Sequence, residues 1–325
     1  MNRYSVKKYT ENHYKTWNDF IAQAKNATFL FHRDFMEYHK DRFEDYSLMV
    51  FEGGKLVAVL PANIDQDTVY SHQGLTYGGL VYNEKFKLAS VIQIFKCILF
   101  FLNSSAIQKL QVKLLPSVYH QKPSEELNYA LFLSDAQLIR RDTLTVIDLS
   151  TSYSLSKIRK RGVKNGISNR LIVKEVDGFY DFWNEILIPN LAQKHQAKPV
   201  HSLEEITKLK ALFPEKVRQF NVYHNGTIVA GTTVFESSNV AHSQYISGIE
   251  DKNELGGIDF LFYILITDVF KNKRFFDFGI SNESQGRKLN EGLSYWKESF
   301  GASTIVHDFY EVQTSNYSLL NNVLI

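Results

Sequence analysis

The chain is poor in cysteine, in charge of one sign and in long apolar runs, and each shortage removes a class of protein. One cysteine, Cys97, occurs in 325 residues, so an intramolecular disulfide framework is excluded. It lies in the apolar run Cys97-Ile98-Leu99-Phe100-Phe101-Leu102 with no His or Asp nearby, and reads as an inert buried thiol rather than a nucleophile. Residues 90–102 are too few to span a bilayer and are interrupted by Gln93 and Lys96, so no transmembrane segment is expected. The opening Met1-Asn2-Arg3-Tyr4 has no apolar signal core, and a reducing cytoplasm is the expected setting. Lys and Arg number 37 against 35 Asp and Glu, a net charge of +2. That balance argues against a DNA partner and against general attraction to a membrane. Neither a Gly-x-Gly-x-x-Gly nor a P-loop motif occurs, which counts against dinucleotide binding and P-loop phosphoryl transfer. The absence of a Gly-x-Ser-x-Gly elbow counts against a serine hydrolase.

What the chain does contain is one unit written twice. Val50-Phe51-Glu52-Gly53-Gly54-Lys55-Leu56-Val57-Ala58 matches Val222-Tyr223-His224-Asn225-Gly226-Thr227-Ile228-Val229-Ala230, with Gly54 and Gly226 at equivalent places 172 residues apart. Ser71-His72-Gln73 faces His242-Ser243-Gln244 at nearly the same offset. Apolar alternation around a glycine turn is the pattern of a two-residue β-hairpin. The duplication predicts a two-lobed, pseudo-symmetric protein, with a cleft as the natural place for a substrate.

Helices are expected over residues 14–25, 32–42, 87–102, 180–194, 203–212, 258–270 and 291–299. Strands are expected in the hairpin over 47–64, from 69, and over 110–114, 144–149, 171–176, 220–223, 228–235, 241–247, 275–278 and 304–310. The polar stretch Ser150-Thr151-Ser152-Tyr153-Ser154 marks a change of texture. It divides a first lobe, 1–150, from a second, 151–310, with residues 311–325 as a tail that packs back on the first. Helices alternate with strands only in the later half of each lobe, so the sheets should be mixed and mostly antiparallel rather than all parallel.

Gly256-Gly257-Ile258-Asp259 joins the second meander to an apolar helix. A glycine turn at a helix N-terminus suits a phosphate or pyrophosphate, and equally suits a plain turn before a core helix. Together with Phe276-Asp277-Phe278-Gly279, Gly292, Lys297-Glu298-Ser299-Phe300-Gly301-Ala302 and Thr76-Tyr77-Gly78-Gly79, this text resembles the GNAT acyltransferases. The likeness is to the FemAB-like branch, whose members carry two GNAT folds in tandem. It covers most of the chain, best over 220–310.

The resemblance implies an α/β (α+β) protein of two tandem GNAT-like lobes, each a mostly antiparallel sheet flanked by helices. It implies an N-acyltransferase acting where two strands of the second lobe splay apart. The acceptor would be an amine of a cell-envelope or polysaccharide precursor, anionic and nucleotide-sugar-like. The donor would be acyl-CoA as a cosubstrate, with no tightly bound cofactor and no metal. An aminoacyl-tRNA donor, as in bridge-forming enzymes of the branch, is the alternative, and a silent binding module is the reading outside enzymes.

In that frame Lys297 balances the charge of the transferring acyl group, or is a surface lysine on an amphipathic helix. His242 is the base that titrates near neutral pH, or a satisfied core residue. Asp277 orients an amine or accepts a proton, or bonds the following turn. Gly256, Gly257, Ile258 and Ser247 would hold the donor. Tyr77, Gln244, Tyr245, Arg159, Arg161, Lys194, His195 and His201 would contact the acceptor. Arg159 and Arg161 belong to the basic segment 157–170, which suits an anion or a solvated face. His195 and His201 match no common zinc spacing.

Overall fold

The computed structural model describes residues 3–249 and 252–325, with the side chains of His195, Lys252 and Asn253 outside the described set. The chain adopts the expected α/β architecture of mostly antiparallel sheets flanked by helices. It divides into two compact units. Unit 1 is Met1–Asp142, Gln285–Arg287 and Val306–Ile325, and unit 2 is Thr143–Ser284 with Lys288–Ile305. Residues 143–150, expected at the end of the first lobe, thus fall in unit 2, and residues 306–310 fall in unit 1.

The duplicated text forms duplicated structure. Leu48–Glu52 pairs with Lys55–Leu60 across Gly53-Gly54, and Val217–His224 pairs with Thr227–Glu236 across Asn225-Gly226. All four turn residues have positive φ, between 49° and 84°, as a type I′ hairpin turn requires. Both hairpins carry a register shift at the same place, Val50/Phe51 and Val222/Tyr223.

In unit 2 the sheet runs, in spatial order, Ile172–Val176, Val217–His224, Thr227–Glu236, Val240–Gly248, Phe275–Ile280, then residues 143–148. All neighbours are antiparallel except Val240–Gly248 beside Phe275–Ile280. One face is covered by the helix Gly257–Ile264, which continues as a π-helical turn Leu265–Val269. Leu261, Phe262, Leu265 and Ile266 are fully buried there. Phe276, Phe278, Trp296 and Phe300 surround the Phe262 ring with centroids 5.1–5.8 Å away. These edge and tilted contacts add to the area each ring buries. In unit 1 the helix Leu88–Ser104 plays the corresponding part, burying Val91, Ile94, Phe95, Ile98 and Leu102. Cys97 is half-buried on it, and burial raises its thiol pKa.

The basic segment forms the helix Lys157–Ser168, capped by Ser156. It packs on the start of Gly257–Ile264 through glycines. Gly256 has φ +75°, and a Cβ there would lie 2.1 Å from the Gly162 carbonyl oxygen. A Cβ on Gly166 would lie 2.5 Å from Phe260. Gly256→Ala should therefore cost about 2–5 kcal/mol, a left-handed alanine plus an overpacked contact. The readout is a lower urea midpoint at unchanged m-value; an unmoved midpoint would mean that the two helices do not approach this closely.

Candidate functional site

The parallel pairing in unit 2 lasts only three residues. Val240 faces Phe275, Ala241 faces Phe276 and His242 faces Asp277, and there the ladder stops. Val240–Gly248 continues to pair only on its other side, with Thr227–Glu236, where Thr233 faces Tyr245 but Val234 faces Ser243. Gln244 is the extra residue of a β-bulge. A bulge leaves its extra residue out of the ladder and re-aims the strand. The Gln244 Oε1 is buried with no hydrogen-bond partner.

A buried polar group sits where the ladder ends. Asp277 is 1% exposed, on the face opposite Phe276 and Phe278 as alternation requires. Its Oδ1 accepts the Gly279 N–H at 2.7 Å and its Oδ2 holds His242 Nδ1 at 2.9 Å. The expected bond to the following turn is present, and the second oxygen goes to His242. A carboxylate acceptor places the imidazole hydrogen on Nδ1 and the lone pair on Nε2. Gly279 turns with φ +74°, and a Cβ there would approach His242 to 3.2 Å.

Lys297 is no surface residue. It is 3% exposed on the helix Glu291–Glu298. Its ammonium donates to the Gly279 carbonyl at 3.0 Å and the Ile280 carbonyl at 2.5 Å. Burial lowers its pKa from 10.5 to about 8, with Asp277 opposing the shift. Two of its three donors are spent on backbone, which draws the end of the strand toward the helix.

Beyond the bulge lies a cavity of about 410 Å³. Ile246, Ser247 and Gly248 form one wall, Gly292, Leu293 and Trp296 another. Arg159, Lys194, Ile258 and Asp259 also line it, as do Leu187, Asn190 and Leu191. Asn190 was not singled out from sequence, yet its amide donates to Ser247 Oγ and the Gly248 carbonyl, both at 2.8 Å. Only the fold brings a helix residue to that strand.

The remaining expected residues divide. Gly257 opens the helix whose first turn brings Ile258 and Asp259 to the cavity, but Gly256 is needed for its turn and for helix contact. Asp259 pairs with Arg159. A carboxylate thus occupies the first turn where a pyrophosphate was expected. Arg161 is exposed and does not line the cavity. His201 and Tyr245 do meet, at 2.6 Å from Nδ1 to hydroxyl, but both are buried and Tyr245 packs edge-on to Trp183. They brace the strand from its other face rather than line the cavity. Tyr77, in unit 1, is likewise buried, with its hydroxyl donating to Thr28 Oγ1 at 3.0 Å. The His195 side chain lies outside the described residues. Among the described residues no group of three or more His, Cys, Asp or Glu could hold a metal ion, and no helix is long and apolar enough to cross a membrane.

No protein-family model matches the chain, and no curated protein matches it in sequence. Solved structures do match in fold. FemX superposes with a TM-score of 0.68 at 8% identity, covering 98% of this chain and 99% of that one. The L-PGS of Bacillus licheniformis gives 0.55 at 12% identity, over 85% and 86% of the two chains. A tandem GNAT protein from the clavulanic acid biosynthesis pathway gives 0.50 at 11% identity, over 96% and 98%. The fold is therefore the tandem GNAT fold of the FemAB-like type.

Lys297 makes stability depend on pH in a defined direction. Between about 8 and 10.5 the unfolded chain holds a proton that the folded lysine has released, so stability rises with pH across that window. A Lys297→Met chain should show a shallower rise there. Near pH 7 it should be about 1–3 kcal/mol less stable, because the buried Gly279 carbonyl loses its donor. Denaturant titrations at several pH values test this, and equal slopes for the two chains would contradict it.

Proposed function

We propose that unit 2 is an acyltransferase site, in which an activated carbonyl is held at the splay and attacked by an amine. The observation that carries this reading is the three-residue ladder ending at His242 and Asp277, followed by a bulge and a cavity. His242 Nε2 takes a proton from the acceptor amine, directly or through water, while Asp277 holds the ring. The nitrogen attacks the carbonyl carbon and the C–N bond forms. Backbone N–H groups at the bulge stabilise the oxyanion. The carbon–sulfur or carbon–oxygen bond of the donor then breaks, and the leaving group departs with a proton. Lys297 acts as a positioning residue, keeping the strand end turned away.

The acceptor in this reading is an amine on an anionic cell-envelope or polysaccharide precursor, with Lys194 as the cation at the cavity and Arg159 held beside Asp259. The donor is acyl-CoA, the donor class implied by the resemblance to GNAT acyltransferases. A second donor is favoured by one observation. Asp259, paired with Arg159, already fills the first helical turn with a carboxylate, which leaves the positive end of the helix occupied rather than open to a pyrophosphate. An aminoacyl ester, as on aminoacyl-tRNA, needs no pyrophosphate there. Another neighbour in fold is the C-terminal domain of a putative lysylphosphatidylglycerol synthetase from Agrobacterium fabrum.

Transfer assays with acetyl-CoA and with aminoacyl-tRNA, over a panel of amine acceptors, separate these readings. His242→Ala should lower kcat by about 10²–10⁴-fold with whichever donor is used. Lys297→Ala should lower turnover far more than acceptor affinity. A His242→Ala chain that retains the full rate would overturn the assignment of the base. Binding of an anion without transfer from either donor would point instead to a silent binding module.

A further inference from the structure

Unit 1 repeats the short parallel ladder of unit 2 and then closes it. Thr68, Val69 and Tyr70 face Lys109, Leu110 and Gln111, as Val240, Ala241 and His242 face Phe275, Phe276 and Asp277. Past the last pair, the Lys113 N–H donates to Ser71 Oγ at 2.9 Å. The Lys113 carbonyl accepts the Gly78 N–H at 2.8 Å. A Cβ on Gly78 would lie 1.4 Å from the Ser71 carbonyl oxygen. Past the point where pairing stops in unit 2, unit 1 is stitched by backbone.

The stitched strand gathers a different set of groups around Phe309. Lys113 Nζ donates to the Leu75 carbonyl at 2.5 Å and reaches the His72 carbonyl at 3.5 Å. The Arg140 guanidinium lies 4.5 Å from the Phe309 ring centre and forks onto Asp142, with its closest contact 2.7 Å. Asp142 is 1% exposed. The His307 ring is 4.7 Å from the Phe309 ring.

His307 is 4% exposed, and its Nε2 has no hydrogen-bond partner. The ring bonds the backbone of Leu114, so Nδ1 carries the hydrogen and Nε2 presents a lone pair. Burial holds the ring neutral, with its pKa lowered to about 4.

The charge count sets the chemistry of a ligand. Asp142 already neutralises Arg140, which leaves the single positive charge of Lys113. One uncompensated buried charge is unfavourable and is relieved by one negative charge, not two. A phosphate dianion would also meet Asp142. The His307 lone pair calls for a donor on the same ligand. The loop carbonyls account for the Lys113 ammonium, but nothing in the fold requires an unpartnered imidazole on this face, where an apolar side chain would pack at lower cost.

We propose that Lys113 and His307, with the Arg140–Asp142 pair behind them, form a second binding site, within unit 1, for a carboxylate with an N–H beside it. An N-acylated amino acid or a peptide carboxy-terminus has this chemistry. The proposal does not depend on acyl transfer in unit 2.

Calorimetric titration of the intact chain with N-acetylglycine tests the site. Wild-type protein should bind N-acetylglycine at least about tenfold more tightly than acetate, which lacks the N–H, a difference of about one buried hydrogen bond. N-acetylglycine methylamide, which lacks the carboxylate, should not bind. His307→Phe should reduce N-acetylglycine to the level of acetate, while His307→Gln, which keeps an acceptor, should retain most of the affinity. Lys113→Met should abolish binding. No binding to wild-type protein, equal binding of the methylamide, or unchanged affinity in the His307→Phe chain would each overturn the proposal. The His307 pair of variants keeps the test decisive if Lys113→Met fails to fold.

Discussion

The Asp277 carboxylate divides its two oxygens between a turn and an imidazole, and the shape of unit 2 at its site follows from that division. One oxygen takes the Gly279 N–H and sends the chain into a left-handed turn, which ends the strand as a partner for Val240–Gly248. The other fixes the His242 ring at the point where pairing stops. An isolated buried carboxylate is strongly unfavourable, and hydrogen bonds of this kind offset its desolvation. Lys297 completes the arrangement by taking the carbonyls that the turn exposes. Opposite them, Phe276 and Phe278 lock the strand into the aromatic cluster around Phe262. A polar face and an apolar face, alternating along one short strand, thus fix where that strand stops pairing with Val240–Gly248.

The two units show how little separates a ladder that stops from one that runs on. Each has a type I′ hairpin, a bulge at the matching residue and a three-residue parallel ladder. Where unit 2 ends its ladder with His242 and Asp277, unit 1 has Tyr70 and Gln111. The Gln111 amide turns away to Glu311 at 2.8 Å. Without the carboxylate there is no turn at the strand end, and the chain continues to Lys113, where Ser71 and Gly78 bond to its backbone. The same ladder therefore stops at a turn in one unit and runs on into a stitched loop in the other.

Close approach of backbone is the second constraint on the site. Gly162, Gly166 and Gly256 let the helix Lys157–Ser168 lie against the start of Gly257–Ile264. That approach brings Arg159 to Asp259. Of the basic residues in that helix, Arg159 faces the cavity whereas Arg161 faces solvent. A charge run read along the sequence looks uniform, but a helix distributes it around 3.6 residues per turn and only one stripe meets the core.

Local features were legible in the sequence because they are set by neighbours in the chain. The hairpins follow from Gly53-Gly54 and Asn225-Gly226, and the helix Leu203–Leu212 from its capping box, in which Ser202 and Glu205 bond each other's backbone. The alternation of Phe276, Asp277 and Phe278, and with it the buried polar face, was also readable. The bulge at Gln244, the reach of Asn190 to Ser247, the burial of Tyr77 and the pinning of Gly256 were not. Each depends on a partner far away in the chain, and no residue states by itself which strand will stop beside it. The sequence alone determined that the chain folds twice into one mixed-sheet pattern, since turn chemistry and side-chain period act within a few residues. Tertiary structure alone decided where each ladder stops, because that is a competition between backbone pairing and the buried bonds of Asp277 and Lys297, settled only when the strands meet.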